Sequence, residues 1–176
     1  MSVSRQRSAS FDAPWGRGVK ITTGGVFAML LVMSIVMPLV IPGEQWWTVW
    51  AGPGIFALIL GITSLFCVRG FAIRRGDLWI RRSFWETHVP LAGLNGAWAD
   101  PEAMRRSIRS AGNGGLTAYT GWFRNKKLGS YRAYVTDPKR AVVLEIGEKK
   151  IVVSPDRPEA FLRVLGLDPK AGTPHP

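Results

Sequence analysis

Two uncharged stretches near the start of the chain decide its architecture: ITTGGVFAMLLVMSIVMPLVI at residues 21–41 and WWTVWAGPGIFALILGITSLFCV at residues 46–68. As α-helices rising about 1.5 Å per residue, each is long enough to cross the ~30 Å hydrocarbon core of a bilayer. Helices packed in a small soluble domain keep a polar face, and neither stretch has one. The sequence therefore predicts two transmembrane helices.

A cleavable signal peptide is the alternative interpretation of the first stretch. Four basic residues precede it, as they would in a signal peptide: Arg5, Arg7, Arg17 and Lys20. However, the stretch is longer than the ~7–15 apolar residues of a signal peptide, and a second apolar stretch follows closely. We therefore expect both stretches to stay in the membrane.

The predicted topology depends on the short connection between the two stretches and on the charges around them. Only residues 42–45 join the stretches, so the helices form an antiparallel hairpin whose outer ends lie on the same side of the membrane. Basic residues flank those ends within residues 1–20 and again at Arg69, Arg74, Arg75, Arg81 and Arg82. Because Lys and Arg near a span stay on the cytoplasmic side, we predict a multi-pass protein of the inner (cytoplasmic) membrane with both termini in the cytoplasm. We expect residues 1–20 to form a flexible basic arm.

The rest of the chain is strongly basic and long enough for one domain. Residues 69–176 contain 19 Lys and Arg against 10 Asp and Glu, a net charge of +9. Each Lys or Arg near an anionic leaflet contributes about 1 kcal/mol of attraction. Nucleic acid is the competing partner of a basic surface. Because the domain is tethered to the membrane, we expect anionic phospholipid headgroups as partners and no nucleic acid.

From Gly70 onward the apolar residues recur with a period of two, which is typical of β-strands. Phe71 and Ile73 precede the turn residues Arg75-Gly76-Asp77, and Leu78 and Ile80 follow them, so this segment predicts a β-hairpin. Residues 92–115 have no such pattern and are expected to be irregular. Further strands are predicted at residues 84–91, 116–124, 131–136, 141–146 and 150–153, which makes about seven strands in all.

The end of the domain has a helical pattern instead. Pro158 suits the first turn of a helix, and Phe161, Val164 and Leu165 form an apolar stripe that Gly166 ends. Residues 168–176 contain three prolines and are expected to be a disordered tail. The predicted domain, residues 69–167, is therefore mainly β, with two bent antiparallel sheets or a partly open barrel capped by a C-terminal helix.

Several short segments of this domain carry a family resemblance. These segments are VRGF (68–71), GNGGL (112–116), YTGWFRN (119–125), LG (128–129), YRAYVT (131–136) and SPD (154–156). With the preceding hairpin, they resemble bacterial PH-like (pleckstrin homology) domain proteins of the membrane-associated kind. The resemblance implies a fold of two nearly orthogonal sheets capped by a helix, and it implies no reaction, because PH-like folds serve as adaptors for lipids, peptides and proteins.

The sequence contains no recognisable catalytic or metal-binding arrangement. His88 and His175 are its two histidines, and neither has the spacing of a metal site or a catalytic triad. Cys67 is the single cysteine, so the chain cannot form an internal disulfide. The glycines at 112, 114 and 115 lack the Gly-Lys-Ser/Thr ending of a phosphate-binding loop and predict a tight connection. We expect a non-enzymatic protein without a cofactor.

Two groups of residues are candidates for ligand binding. The first follows the second apolar stretch and matches loosely the basic residues that flank the first strand loop in phosphoinositide-binding PH domains: Arg74, Arg75, Arg81 and Arg82. Its alternative role is to fix the topology. The second mixes aromatic and basic side chains, as interfacial segments do: Trp122, Arg124, Lys126, Lys127 and Arg132. Its alternative is an ordinary solvated turn carrying core aromatics.

The leading hypothesis is a scaffold or sensor that contacts anionic lipid and a membrane or cytoplasmic protein partner at the inner leaflet. The alternative is an accessory or regulatory subunit of a membrane complex, bound through the transmembrane hairpin. Small residues four apart in the stretches, such as Gly24 and Ala28, would allow helices to approach closely. Homo-oligomerisation stays open.

Overall fold

The computed structural model describes residues 8–40 and 46–167, which form three α-helices, one short 3-10 helix at Pro138–Arg140 and ten strands. The helices are α1 (Arg17–Val40), α2 (Trp46–Leu65) and α3 (Pro158–Val164). The strands are β1 (Ala9–Asp12), β2 (Val68–Arg74), β3 (Asp77–Arg82), β4 (Glu86–Val89), β5 (Leu94–Ala99), β6 (Ile108–Gly114), β7 (Tyr119–Asn125), β8 (Gly129–Val135), β9 (Val142–Ile146) and β10 (Lys149–Val153). The predicted connection at residues 42–45 and the predicted tail at 168–176 lie outside the described residues.

The strands form two sheets. The first has the order β1-β2-β3-β4, and the second has the order β5-β9-β10-β8-β7-β6. All neighbouring strands are antiparallel except β8 and β10, which pair in parallel. This arrangement of two sheets and a C-terminal helix confirms the predicted mainly-β, PH-like domain, although the sheets are not purely antiparallel.

Two hydrophobic cores hold the domain together, one on each face of the second sheet. The larger core lies between the sheets and α3, where Phe71, Leu78 and Phe161 are fully buried. The smaller core packs Phe123 and Tyr131 beneath the segment that contains Ala103. Strand β9 serves both cores, because its alternating side chains point to opposite faces.

The predicted hairpin is confirmed as β2 and β3. Phe71 pairs with Ile80 and Ile73 with Leu78, so the alternating apolar residues share the buried face. Arg75 and Gly76 form the turn with φ angles of 55° and 82°, the left-handed conformation that tight hairpins require. The predicted apolar stripe of the last helix is also confirmed, since Phe161 is buried and Val164 and Leu165 pack against the larger core.

Both N-terminal helices pack against each other and leave much of their apolar surface uncovered. Phe27, Leu31, Ile55 and Leu58 are among their exposed side chains. By length and composition α1 could cross a membrane. Only 17% of its most apolar stretch of 18 residues is buried inside the protein. The apolar part of α2, Trp50–Leu65, is shorter. The boundaries also differ from prediction, because α1 begins at Arg17 and α2 ends at Leu65, just before β2.

The expectation of a flexible arm at residues 1–20 is wrong for residues 8–20. Strand β1 pairs with β2 from Ala9 to Asp12, and Phe11 is buried in the larger core. The backbone N–H of Gly16 then donates to the carbonyl of Thr136 at 2.9 Å. Because β1 covers the outer edge of β2, the segment before the helices belongs to the folded domain. Residues 1–7 lie outside the described part of the chain.

The expectation of an irregular segment at residues 92–115 is also wrong, because β5 and β6 occupy much of it. Gly112 and Gly121 pair directly across β6 and β7, where a Cβ atom on either would lie 2.2 Å from a backbone carbonyl oxygen of the other strand. Both have positive φ angles, 111° and 130°. Gly112 therefore serves a close approach of two strands and lies within β6.

Candidate functional site

The loop between β6 and β7 connects the domain to both N-terminal helices through Thr117. Its backbone N–H donates to the Thr23 hydroxyl of α1 at 3.2 Å, and its hydroxyl donates to the Thr63 carbonyl of α2 at 3.3 Å. Thr117 is buried and has a φ of 65°, which is uncommon for a β-branched residue. These contacts fix the ends of α1 and α2 against one end of the second sheet.

A groove of about 610 Å³ opens beside this junction, between the two sheets. The end of α2 and the following Phe66 form one wall, and Arg82 of β3 and Trp85 of the β3–β4 connection form another. Strands β6, β7 and β8 form the remaining side, where Arg132 and Tyr134 alternate with residues of the smaller core. We call this the proximal groove; its lining residues are Thr63, Phe66, Arg82, Trp85, Thr87, Arg109, Gly112, Thr120, Gly121, Arg132 and Tyr134.

Three arginines, Arg82, Arg109 and Arg132, give the proximal groove its charge, and its lining contains no carboxylate. The guanidinium groups of Arg82 and Arg132 lie 5.5 Å and 5.3 Å from the ring centroid of Tyr134. Within the described ranges none of the three is in an ion pair. The groove therefore concentrates positive charge that the described chain does not neutralise.

Two polar atoms at this groove are buried without a hydrogen-bond partner of normal geometry among the described residues: the Tyr134 hydroxyl and the Arg82 Nε. Burial raises the pKa of Tyr134, while the nearby Arg132 and Arg82 oppose this rise. Burial also lowers the pKa of Arg82; Tyr134 opposes that shift and the Arg132 charge reinforces it. Because an unpaired buried polar group is costly, these two donors fit a site that receives an acceptor.

Aromatic side chains surround the mouth of the groove next to α2. Phe66 and Trp85 make an edge-to-face contact with ring centroids 5.1 Å apart, and Phe84 is 77% exposed. The Ser83 hydroxyl donates to the Ser64 carbonyl at 3.3 Å, which holds this loop against the helix end. Exposed aromatic residues at the end of an apolar helix are typical of a membrane–water interface.

The first predicted group of arginines is divided between the two ends of the β2–β3 hairpin. Arg82 lies at the proximal groove and pairs with Val68 at the start of β2. Arg74 lies six residues further along β2, about 20 Å away at ~3.3 Å per residue, and Arg75 follows it in the turn. Arg74 is also occupied by Glu86 through contacts of 2.8 Å and 3.2 Å. Arg81 lies on the first sheet and donates to the Ser10 hydroxyl of β1 at 3.0 Å.

The second predicted group is divided as well. Trp122 packs against the Arg132 guanidinium at 5.8 Å, beside the proximal groove. Arg124, Lys126 and Lys127 lie at the far end of β7 and line a second, wider groove of about 1180 Å³, which we call the distal groove. Lys127 is paired there with Asp100 at 2.6 Å. The structure thus brings together Arg82, Arg132 and Trp122 and separates them from the other six predicted residues.

Sequence reasoning found only Arg82 and Arg132 of the residues that line the proximal groove; the aromatic and basic residues that it missed are Phe66, Trp85, Arg109 and Tyr134. Arg109 lies in the segment that was expected to be irregular. Tyr134 lies in a predicted strand, where its side chain fits the alternating apolar pattern. Phe66 lies within a stretch assigned to the membrane. The signal that could have found Tyr134 is its i+2 spacing from Arg132, which places both side chains on the same face of β8.

Alkaline pH will destabilise the folded domain through its buried tyrosines. Burial raises the pKa of Tyr131 and Tyr134, so the unfolded chain loses these protons first as the pH rises. Their contribution to stability is complete below the ordinary tyrosine pKa of about 10 and declines above it. We expect the denaturant midpoint to fall above this pH, and less steeply in Tyr131→Phe and Tyr134→Phe. A midpoint that falls as steeply in both variants as in the parent chain would contradict this assignment.

No group of three His, Cys, Asp or Glu residues in the described ranges could hold a metal ion. His88, the histidine within a strand, has its Nε2 atom 2.9 Å from the Asp77 carboxylate on the domain surface. This hydrogen bond and one from the Leu91 backbone N–H lower the pKa of Asp77. The pair joins β3 to β4, and neither residue lines the proximal groove.

Two sheets capped by a C-terminal helix, with a basic groove between them, define the class of PH-like domains, which are generally non-catalytic binding modules. Residues 69–166 match the family model of the bacterial PH domain, and the chain belongs to this family. Comparison with curated proteins and with solved structures gives no match. Strand β1 precedes the matched residues, so the first sheet of this chain includes a strand from outside the family match.

Proposed function

We propose that this chain is a non-enzymatic module that is anchored in the inner membrane by a hairpin of α1 and α2 and acts as a scaffold or sensor. Its PH-like domain contacts anionic lipid at the cytoplasmic leaflet and presents other surfaces to a protein partner. The observation that carries this proposal is the position of the proximal groove, whose three arginines lie where the apolar helices meet the domain. Lipid headgroups lie at that level when the helices cross a bilayer.

The length of the free helical segments supports a two-span hairpin. Thr23 and Thr63 contact Thr117, so the helices leave the domain at about these residues. Residues 24–40 of α1 and 46–62 of α2 then extend about 26 Å at ~1.5 Å per residue, close to the thickness of a hydrocarbon core. Their exposed apolar side chains suit lipid as a solvent.

The distal groove supports a separate contact for a protein partner. Arg105, Arg106, Arg124 and Lys126 line it, about 20 Å along β7 from the membrane-facing junction at ~3.3 Å per residue. Ile108, beside these charges, is 75% exposed. An acidic segment of a membrane or cytoplasmic protein fits this combination of basic and apolar surface.

A subunit of a membrane complex is the second candidate function. Gly24 and Gly25 of α1 have open space where a side chain would lie, so this part of the helix presents a flat apolar surface. Small residues allow another transmembrane helix to approach closely. Replacement of both glycines with leucine will release a helical partner that binds to this surface. The same replacement will leave in place a module that contacts only lipid.

Membrane extraction and cysteine labelling test the proposed anchoring and topology. We expect the full chain to stay in the membrane pellet after alkaline carbonate treatment, because two apolar helices hold it there. In a Cys67→Ala background, Glu148→Cys on the exposed β9–β10 turn will react with a membrane-impermeant thiol reagent only after the cells are permeabilised. Release of the chain by carbonate, or labelling of residue 148 in intact cells, would contradict the proposal.

A further inference from the structure

We propose that the proximal groove binds the phosphate group of an anionic phospholipid, with Arg82, Arg109 and Arg132 as the charged ligands and the Tyr134 hydroxyl as a neutral donor. This inference rests on the proposed function and assigns a specific site and ligand chemistry to it. The site differs from the hairpin turn at Arg75 and Gly76, which lies at the opposite end of β2. It involves residues from both sheets and from the end of α2.

The buried donors are the first argument for a ligand at this position. Tyr134 is only 1% exposed, and its hydroxyl has no hydrogen-bond partner of normal geometry in the described chain. The Arg82 Nε is also buried without a hydrogen-bond partner of normal geometry in the described chain. The Nη1 atom of the same residue donates to the Phe66 carbonyl at 3.2 Å. A phosphate group offers several strong acceptor oxygens, so it can accept hydrogen bonds from both atoms at once.

The second argument is the unneutralised charge. Arg82 and Arg132 both lie against the ring of Tyr134, and no carboxylate lines the groove. Two guanidinium groups held near one another repel, and an anion between them removes this cost. Arginine recognises phosphate through paired N–H donors, which a planar guanidinium presents in a fixed geometry. Three arginines favour a phosphate monoester over a diester, since the monoester carries more negative charge.

The position of the groove identifies the source of the phosphate. Thr63 and Phe66 form one wall, and both lie at the end of α2 that meets the domain. Phe66, Phe84 and Trp85 provide apolar surface for the part of a lipid next to its headgroup. A soluble phosphate compound would gain nothing from these side chains. A phospholipid can place its phosphate among the arginines and its acyl chains along α2.

The test uses calorimetric titration of the full chain in neutral detergent. The probes are dihexanoyl phosphatidate, dihexanoyl phosphatidylglycerol and inorganic phosphate at matched ionic strength. We expect saturable binding of phosphatidate, weaker binding of phosphatidylglycerol and the weakest binding of inorganic phosphate. Arg132→Gln will weaken phosphatidate binding about tenfold or more, because it removes a charged donor. Lys149→Gln, an equal loss of charge on an exposed residue of the same sheet, will change it less than about twofold.

Tyr134→Phe separates a ligand contact from a structural role. Within the described chain the Tyr134 hydroxyl makes no hydrogen bond of normal geometry and interacts with Arg82, and phenylalanine keeps the ring that both arginines pack against, so this variant will change the melting temperature little and still bind phosphatidate more weakly. Equal weakening by Lys149→Gln and Arg132→Gln, or an unchanged affinity in Tyr134→Phe, would overturn the assigned site. Inorganic phosphate that binds as tightly as phosphatidate would overturn the lipid source.

Failure of this inference can be distinguished from failure of the proposed function. A chain that stays in the membrane with the expected labelling of residue 148, yet binds phosphatidate without saturation, leaves the anchored module standing and refutes the phosphate site. A chain that carbonate releases from the membrane refutes the anchoring itself, whatever the titration gives.

Discussion

Gly121→Ala will destabilise the domain by about 3–5 kcal/mol, because the new side chain collides with the neighbouring strand. A Cβ atom at this position would lie 2.2 Å from the Ala111 carbonyl oxygen and 2.8 Å from the Gly112 Cα. These are backbone atoms, so strands β6 and β7 must separate to accept it. The φ of 130° adds backbone strain for any residue other than glycine. We expect the melting temperature of the full chain in detergent to fall by at least about 10 °C.

Gly93→Ala is the matched control for this prediction. Gly93 also has a positive φ, 83°, but nothing lies within 4 Å of the added Cβ atom. Its replacement therefore introduces backbone strain without a collision and should cost about 1 kcal/mol. The difference between the two variants measures the collision alone. Equal losses of stability at both positions would show that β6 and β7 do not approach as closely as the structure describes.

Phe161→Ala will cost about 3–5 kcal/mol, because it removes the largest side chain that α3 contributes to the core between the sheets. Phe161 is fully buried and meets the ring of Phe11 edge to face, with centroids 5.2 Å apart and an interplanar angle of 72°. Leu162 is the other buried residue of the short helix α3, and Ala160 and Val164 are only partly buried against the core. Chemical denaturation of the full chain, followed by tryptophan fluorescence, measures the loss.

Two further variants show whether this loss comes from the ring contact. Arg163→Ala, on the exposed face of α3, removes only a loose pair with Glu159 at 3.6 Å and should change stability by less than about 0.5 kcal/mol. Phe11→Ala should be strongly destabilising, and its effect should not add to that of Phe161→Ala, since aromatic pairs contribute about 0.5–1.5 kcal/mol beyond burial. Full additivity would contradict docking of β1 against α3.

Local patterns were sufficient for the elements whose neighbours lie close in the sequence. The hairpin of β2 and β3 follows from alternating apolar residues on both sides of a two-residue turn, and Leu78 and Ile80 lie in the predicted core. The last helix follows from Pro158 at its start and from an apolar stripe. Each of these patterns records an interaction within a few residues, so a single sequence contains enough information to predict it.

Elements that depend on distant partners were missed. Strand β1 is four residues long, and both N-terminal helices separate it in the sequence from its partner β2. Nothing near Ala9 in the sequence therefore indicates this partner. Strand β6 contains two glycines, Gly112 and Gly114, which local propensity assigns to a loop, but the close contact between Gly112 and Gly121 of β7 requires both of these positions to lack a side chain. Tertiary pairing overrode local preference in both segments.

The sequence by itself determined the apolar N-terminal stretches, the excess of basic residues and a mainly-β domain of the PH-like class, because these depend on composition and short-range periodicity. Only the tertiary structure decided which charges act together. Arg74 and Arg82 are close in sequence, yet the hairpin carries one to its turn and returns the other to the helix end, beside Arg132 and Tyr134. A binding site requires proximity in space, and strand pairing between distant segments sets that proximity.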